Sequence, residues 1–166
     1  EKEKLLYTSM TDELTRCGNR HAYETDIAKL DLQDAWAYLS MDVNGLKQVN
    51  DTRGHAAGDE LICAVAEAMK RSFADVGRVY RIGGDEFVVI VTGELEALDA
   101  RLQDFVADVA HWQGELVDRM SIAWGYVLST ERPWESVHEI SKAADKRMYE
   151  RKAYFYRESG VDRRKS

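Results

Sequence analysis

Proline is almost missing from this chain: Pro133 is the only one in 166 residues. It opens a helix-like segment, where its missing N–H does no harm. Cysteine is scarce as well. Cys17 and Cys63 stand apart from other candidate ligands, which excludes a disulfide framework and a zinc motif and fits a reducing compartment. Both read as small buried hydrophobes. There is no apolar run long enough to span a bilayer, no signal peptide, no internal repeat and no low-complexity segment. Basic excess is lacking too. A net charge of −7 excludes long-range attraction to a nucleic acid polymer, and a small anionic ligand would need local lysines or a metal ion.

What remains is an ordinary globular composition, 45% hydrophobic and 32% charged, at a length that suits one domain with a full core. The opening "EKEKLLYTSMTDELT" has no initiating methionine, and residues 1–10 read as the remnant of an upstream linker helix. Residues 11–157 read as the domain, and 158–166 as a polar tail.

The chain then alternates periods. "AWAYLSMDV" (35–43) reads as a buried strand whose end carries Asp42. "GDELICAVAEAMKRSF" (58–73) has Leu61, Val65, Ala68 and Phe73 on one helical face, with Asp59 and Glu60 in its first turn. "RVYRI" and "FVVIV" are strands joined by a tight reversal at Gly83 and Gly84. Residues 94–112 form a helix with Leu95, Leu98, Leu102, Phe105 or Val106, Val109 and Trp112 in phase. "MSIAWGYVL" (120–128) is a further strand. Residues 133–156 form a long helix with Val137, Ile140, Ala144 and Met148 on one side. With the helix in "NRHAYETDIAKL", this order predicts an α+β fold: a central mixed, mostly antiparallel sheet covered by helices, of ferredoxin-like kind. Trp36, Trp112, Trp124 and Trp134 read as packing residues.

The chemistry sits in "RIGGDEF" (81–87), where two glycines precede two carboxylates. In a βαββ arrangement the end of the first strand neighbours the hairpin. Asp42 then meets Asp85 and Glu86, and such hard oxygen ligands suit Mg²⁺ with substrate phosphates. Gly83 and Gly84 permit positive φ and close approach of a ligand. Taken alone, Gly-Gly-Asp is also ordinary turn chemistry. His55 in "RGHAAGD" reads as a turn histidine, not a catalytic base.

"RIGGDEF", "MDVNGLKQVNDTRGHAAGDELI" (41–62) and "TDELTRCGNRHAYE" (11–24), with "SIAWGY" and "AADKRMYERK" following in order, together resemble the GGDEF family of diguanylate cyclases. The resemblance runs from about Thr11 to Lys152. It implies a fold like that of nucleotidyl cyclases and polymerase palms, and a reaction that joins two GTP molecules into cyclic di-GMP with release of two pyrophosphates. It implies Mg²⁺, with Mn²⁺ as a substitute, held by the side chains of Asp42 and Asp85, the carbonyl of Val43 and, for a second ion, Glu86. Asp85 would help deprotonate the attacking ribose 3′-hydroxyl, with Glu86 beside it. Asn50 and Asp59 match positions that read the guanine edge. Lys47 and Lys152 match lysines that hold the triphosphate, and the amides of Gly45 and Leu46 match a phosphate cradle. The partners implied are GTP, a second copy of the domain in a homodimer, and an upstream sensory domain. The location implied is the cytoplasm, without membrane contact by this domain, although a longer chain could be anchored through upstream segments.

The chain departs from the family at several places. Ala74 and Gly77 stand where an Arg-x-x-Asp pair often binds inhibitory product. Tyr156, with Arg157 next to it, stands where an arginine touches phosphate. Arg16 replaces a common glycine, and Asn44 a common second aspartate. A catalytically weak module that binds GTP or cyclic di-GMP and regulates an attached domain is the alternative reading.

Overall fold

The structure is a computed structural model that describes residues 9–158, with side chains described through Ala153. Most of the 1–10 linker, most of the 158–166 tail, and the side chains of Tyr156 and Arg157 lie outside the described residues. No helix among the described residues is long and apolar enough to cross a membrane.

The most apolar strand becomes the centre. Strand β1 (Ala37–Val43) is buried at every position, because both of its faces are covered. It is flanked by β3 (Glu86–Val91) and β4 (Ile122–Leu128), and β2 (Gly77–Arg81) pairs with β3, giving the order β2-β3-β1-β4. All of these pairings are antiparallel. The mixed character expected of the sheet shrinks to one isolated parallel bridge, Gly18 with Tyr80.

Alternation along β1 sorts its side chains between two cores. Leu39, Met41 and Val43 join Phe87, Val89 and Val91 against α3 (His55–Phe73) and α4 (Leu98–His111), which supply Leu61, Val65, Phe73, Leu102 and Phe105. Tyr38, Val88, Ile90 and Val127 pack on the opposite face against α1 (Arg20–Ile27) and α5 (Val137–Glu158), through Ala22, Tyr23, Ile140 and Ala144. The strand–helix–hairpin–helix–strand core is thus a ferredoxin-like sandwich, with α1 and α5 closing its second face. Asn19 starts α1 as its N-cap, accepting from the Ala22 amide at 2.9 Å.

Boundaries differ from the periodicity reading where the local backbone intervenes. Helix α5 begins at Val137, not Pro133. Helix α3 begins at His55, because Gly54 breaks the chain at φ +90°, so Asp59 and Glu60 fall in its second turn. A short helix, α2 (Leu46–Arg53), was not anticipated. It is short, and only Leu46 and Val49, both partly buried, mark an apolar face. The tryptophans pack as expected: Trp36 is fully buried, Trp112 and Trp134 lean on the two cores, and Trp124 carries the Arg151 guanidinium 3.9 Å above its ring.

Both sheet edges are capped. The Gly18 amide donates to the Val79 carbonyl at 3.0 Å along β2. On β4, Arg147 and Arg151 of α5 donate to the carbonyls of Tyr126 and Trp124 at 2.6 and 2.9 Å. Helix α5 reaches β4 this closely because Gly125 has no side chain. A Cβ there would stand 2.3 Å from the Met148 nitrogen and 2.7 Å from the Arg147 carbonyl carbon, both backbone atoms. Gly125→Ala should therefore lower the unfolding free energy by about 1–3 kcal/mol, measured by urea denaturation.

Candidate active site

The site assembles where β1 runs out beside the β2–β3 turn. Register places Asp42 opposite Glu86, and the next residue, Val43, donates its amide to the Asp85 carbonyl at 2.9 Å. The Asp85 carboxylate lies near enough to Asp42 for its charge to act on the Asp42 carboxyl. Glu86 is exposed, and its Oε2 lies 3.5 Å from where a Cβ on Gly83 would be. Among the described residues no three His, Cys, Asp or Glu side chains are grouped to hold a metal ion.

A lysine compensates the charge instead. Lys152, 3% exposed near the end of α5, donates from Nζ to Asp42 Oδ2 at 2.7 Å. Asp42 is itself only 7% exposed, and its other oxygen, Oδ1, is buried without a hydrogen-bond partner. Burial pushes the Asp42 carboxyl up to about 6; the Lys152 hydrogen bond opposes this, and the neighbouring Asp85 charge reinforces it. The donor set of two converging carboxylates, one with a bare buried oxygen, fits a hard divalent cation.

The turn is braced from outside. Arg81 donates from Nε and Nη2 to the Gly84 carbonyl at 3.2 and 2.9 Å, and from Nη1 to Asp12 at 3.4 Å. Asp12 in turn accepts from the amide and hydroxyl of Thr15. Asp12 and Arg81 both lie inside quoted motifs, but nothing in their spacing reveals that they touch. The positive φ expected at Gly83 and Gly84 is not there; among the described glycines only Gly45 and Gly54 have it. The reversal is wider than a two-residue turn, closed by the amides of Ile82 and Gly83 on the Glu86 carbonyl at 2.9 and 3.4 Å, so it needs no left-handed residue. A side chain at Gly84 would meet nothing within 4 Å, which leaves the turn open to a ligand.

A second group lies on the α2–α3 hairpin. Gly45, at φ +76°, caps α2, and Leu46 and Lys47 form its first turn, where backbone amides favour an anion. Lys47 and Asp59 are exposed and Asn50 is half-buried. The Asn50 Oδ1 lies 1.8 Å from where a Cβ on Gly58 would be, so the glycine beside Asp59 is what lets Asn50 lie close to it. His55 is exposed at the start of α3. A cleft of about 960 Å³ between α1 and α5 touches the predicted site residues only at Glu86. Asn50 and Asp59 do not line it.

Comparison with known proteins identifies the family and the fold. The family model described as "Diguanylate cyclase, GGDEF domain" matches residues 9–155. The probable diguanylate cyclase DgcI of Escherichia coli is 36% identical over 150 residues, 89% of this chain and 32% of that protein. Diguanylate cyclase DgcS of Shewanella oneidensis is 27% identical over 156 residues, 91% of this chain and 52% of its own length. The chain thus spans about a third to a half of these relatives. Among solved structures, the coiled coil and GGDEF domain of DgcB from Caulobacter crescentus in complex with c-di-GMP superposes with a TM-score of 0.80 at 23% identity, covering 96% of this chain and 86% of that one. The GGDEF domain of TpbB (YfiN) from Pseudomonas aeruginosa gives 0.74 at 27% identity, covering 87% and 89%.

The Asp42 shift has a measurable sign. A carboxyl that titrates higher folded than unfolded adds stability that is full below the ordinary 3.8 and is lost as pH rises through about 6. In chelator-containing buffer, the unfolding free energy of the wild type relative to Asp42→Asn should fall between about pH 4 and pH 7, by on the order of 2–3 kcal/mol in urea titrations. A pH-independent difference would refute the assignment.

Proposed function

Because the chain belongs to the diguanylate cyclase GGDEF domain family, we propose that it is the catalytic domain, residues 11–157, of a diguanylate cyclase that condenses two GTP molecules into cyclic di-GMP. The observation that carries this reading is the meeting of Asp42 and Asp85 at the end of β1, with one buried Asp42 oxygen left without a partner. A magnesium ion held there by Asp42, Asp85 and the Val43 carbonyl, with Glu86 serving a second ion, would neutralise charge on the α-phosphate.

The chain's own residues do the rest. Asp85 accepts the proton of the ribose 3′-hydroxyl as its oxygen bonds to the α-phosphorus of the second GTP. The bond from that phosphorus to the bridging oxygen breaks, and pyrophosphate leaves. The same exchange in the opposite sense closes the ring. Lys152, which neutralises Asp42 in the ligand-free domain, turns to the triphosphate when substrate arrives. Lys47 and the amides of Gly45 and Leu46 hold the phosphates. Asp59 and Asn50 accept from and donate to the guanine edge. One domain offers one such set, so the reaction needs two copies face to face, which a homodimer supplies. The domain works in the cytoplasm, under control of an upstream sensory domain. With Ala74 and Gly77 in place of a charged pair, feedback by product is weak.

Incubation with GTP and Mg²⁺, followed by chromatography, should yield cyclic di-GMP, with specific activity rising as protein concentration rises. Asp85→Ala should reduce turnover at least a hundredfold, on the order of what loss of a positioned acid–base group removes. Cyclic di-GMP formed at a near-normal rate by Asp85→Ala, or no product from the wild type at any concentration, would sink the proposal. Gly58→Ala tests the guanine pair separately. The three atoms nearest the new methyl all belong to the flexible end of Asn50, so stability should stay within about 1 kcal/mol. Displacement of the Asn50 amide should weaken binding of a non-hydrolysable GTP analogue about tenfold by calorimetry.

A further inference from the structure

The two residues proposed to read guanine have no side-chain hydrogen-bond partner among the described residues, so their placement depends on what fixes α2 and α3. The segment between α4 and β4 does this. Glu60, the neighbour of Asp59 in α3, accepts from three successive backbone amides: Glu115 at 3.1 Å, Leu116 at 3.0 and 3.2 Å, and Val117 at 3.0 Å. Converging backbone amides of this sort form an anion-binding concavity, and here the protein supplies the anion. The concavity is tightly built. The Gly114 amide donates to the Val117 carbonyl at 3.0 Å, and a Cβ on Gly114 would stand 2.3 Å from Glu60 Oε1 and 2.6 Å from the Val117 oxygen.

The same segment also grips α2. Arg53, in the last turn of α2, donates from Nη1 to the Leu116 carbonyl at 3.1 Å and pairs through Nη2 with Asp118 at 3.8 Å. Ahead of α2, Asn44 donates its amide to the Ser121 carbonyl at 2.8 Å and its side-chain amide to the Ser121 hydroxyl at 2.9 Å. Residues 114–121 are thus a strap that fastens the strand end before α2, the last turn of α2 and the second turn of α3.

We infer that Glu60 is a positioning residue for purine recognition: by anchoring α3 to the 115–117 amides it sets Asp59, and Asn50 packed beside Gly58, at the angle the guanine edge requires. This rests on the assignment of Asn50 and Asp59 to guanine. The geometry makes the function graded. Glu60→Gln keeps Oε1, which serves Leu116 and Val117, and replaces Oε2 with an amide –NH2 that faces the Glu115 and Leu116 backbone amides donor to donor. Glu60→Ala removes all of these acceptors.

Calorimetric titration with the α,β-methylene analogues of GTP and of ATP, in Mg²⁺ and on the wild type and the Glu60→Ala, Glu60→Gln, Arg53→Ala and Asp59→Ala variants, tests the inference. Glu60→Ala should cut the GTP-over-ATP preference about tenfold while affinity for the ATP analogue stays within about twofold; Glu60→Gln and Arg53→Ala should give smaller losses in the same direction. Should Glu60→Ala lack a cooperative thermal transition, the Gln and Arg53 variants decide, and an unchanged preference in both overturns the inference. A preference lost in Asp59→Ala but kept in Glu60→Ala leaves Glu60 a stability residue and overturns it too. A preference kept in Asp59→Ala overturns the guanine assignment itself, and this inference with it.

Discussion

The buried pair of Asp42 and Lys152 joins the end of the central strand to the far end of the longest helix, residues 110 positions apart in the chain. Both groups have given up water, and removing one of two such partners typically costs roughly 3–5 kcal/mol because the other charge is stranded. Yet the pair is incomplete as a structural device, since Asp42 Oδ1 has no partner. Burial and the Asp85 charge outweigh Lys152 and leave the carboxyl easier to protonate than an ordinary aspartate. A stability role alone would be served better by full satisfaction of both oxygens. The bare oxygen lies at the point proposed above for a metal ion.

The rest of the architecture holds that point in place. Strand β1 is buried on both faces, so its register with β3 and β4 cannot slip without moving every core side chain to the wrong side. That register is what sets Asp42 opposite Glu86 and Val43 against Asp85. Helix α5 is brought down on β4 at Gly125 and held there by Arg147 and Arg151 on the strand's outer carbonyls, which carries Lys152 to the sheet end. Arg81 fixes the turn from the other side and connects it to Asp12, at the entrance of the chain into the domain. The carboxylates therefore lie on rigid elements, while the α2–α3 hairpin is secured to its surroundings by the Glu60, Arg53 and Asn44 contacts.

Much of this was legible in the sequence because it is local. Period-two and period-3.6 patterns located all four strands and α1, α3, α4 and α5; the apolar face of Leu61–Phe73 is buried, and that of α5 is buried at Ile140 and Ala144 with Val137 packed beside them. The order of elements gave the sandwich, and the placing of Asp42 at a strand end beside a hairpin gave the meeting with Asp85. The family motifs pointed to Asn50, Asp59 and Lys47 by position. Helix α2 escaped, because it is short and has only Leu46 and Val49, both partly buried, to mark an apolar face.

Tertiary structure alone decided which cation faces Asp42, where the Glu86 carboxylate goes, that Arg81 reaches Asp12, and that Glu60 is filled by the amides of residues 115–117. Apart from the Glu86 position, each of these is a contact between residues far apart in sequence, made by the reach of a flexible side chain across an angle between two elements. Periodicity determines which face of an element is buried, and spacing determines which residues share that face. Neither carries the interhelical distances and rotamers on which a hydrogen bond of about 3 Å depends.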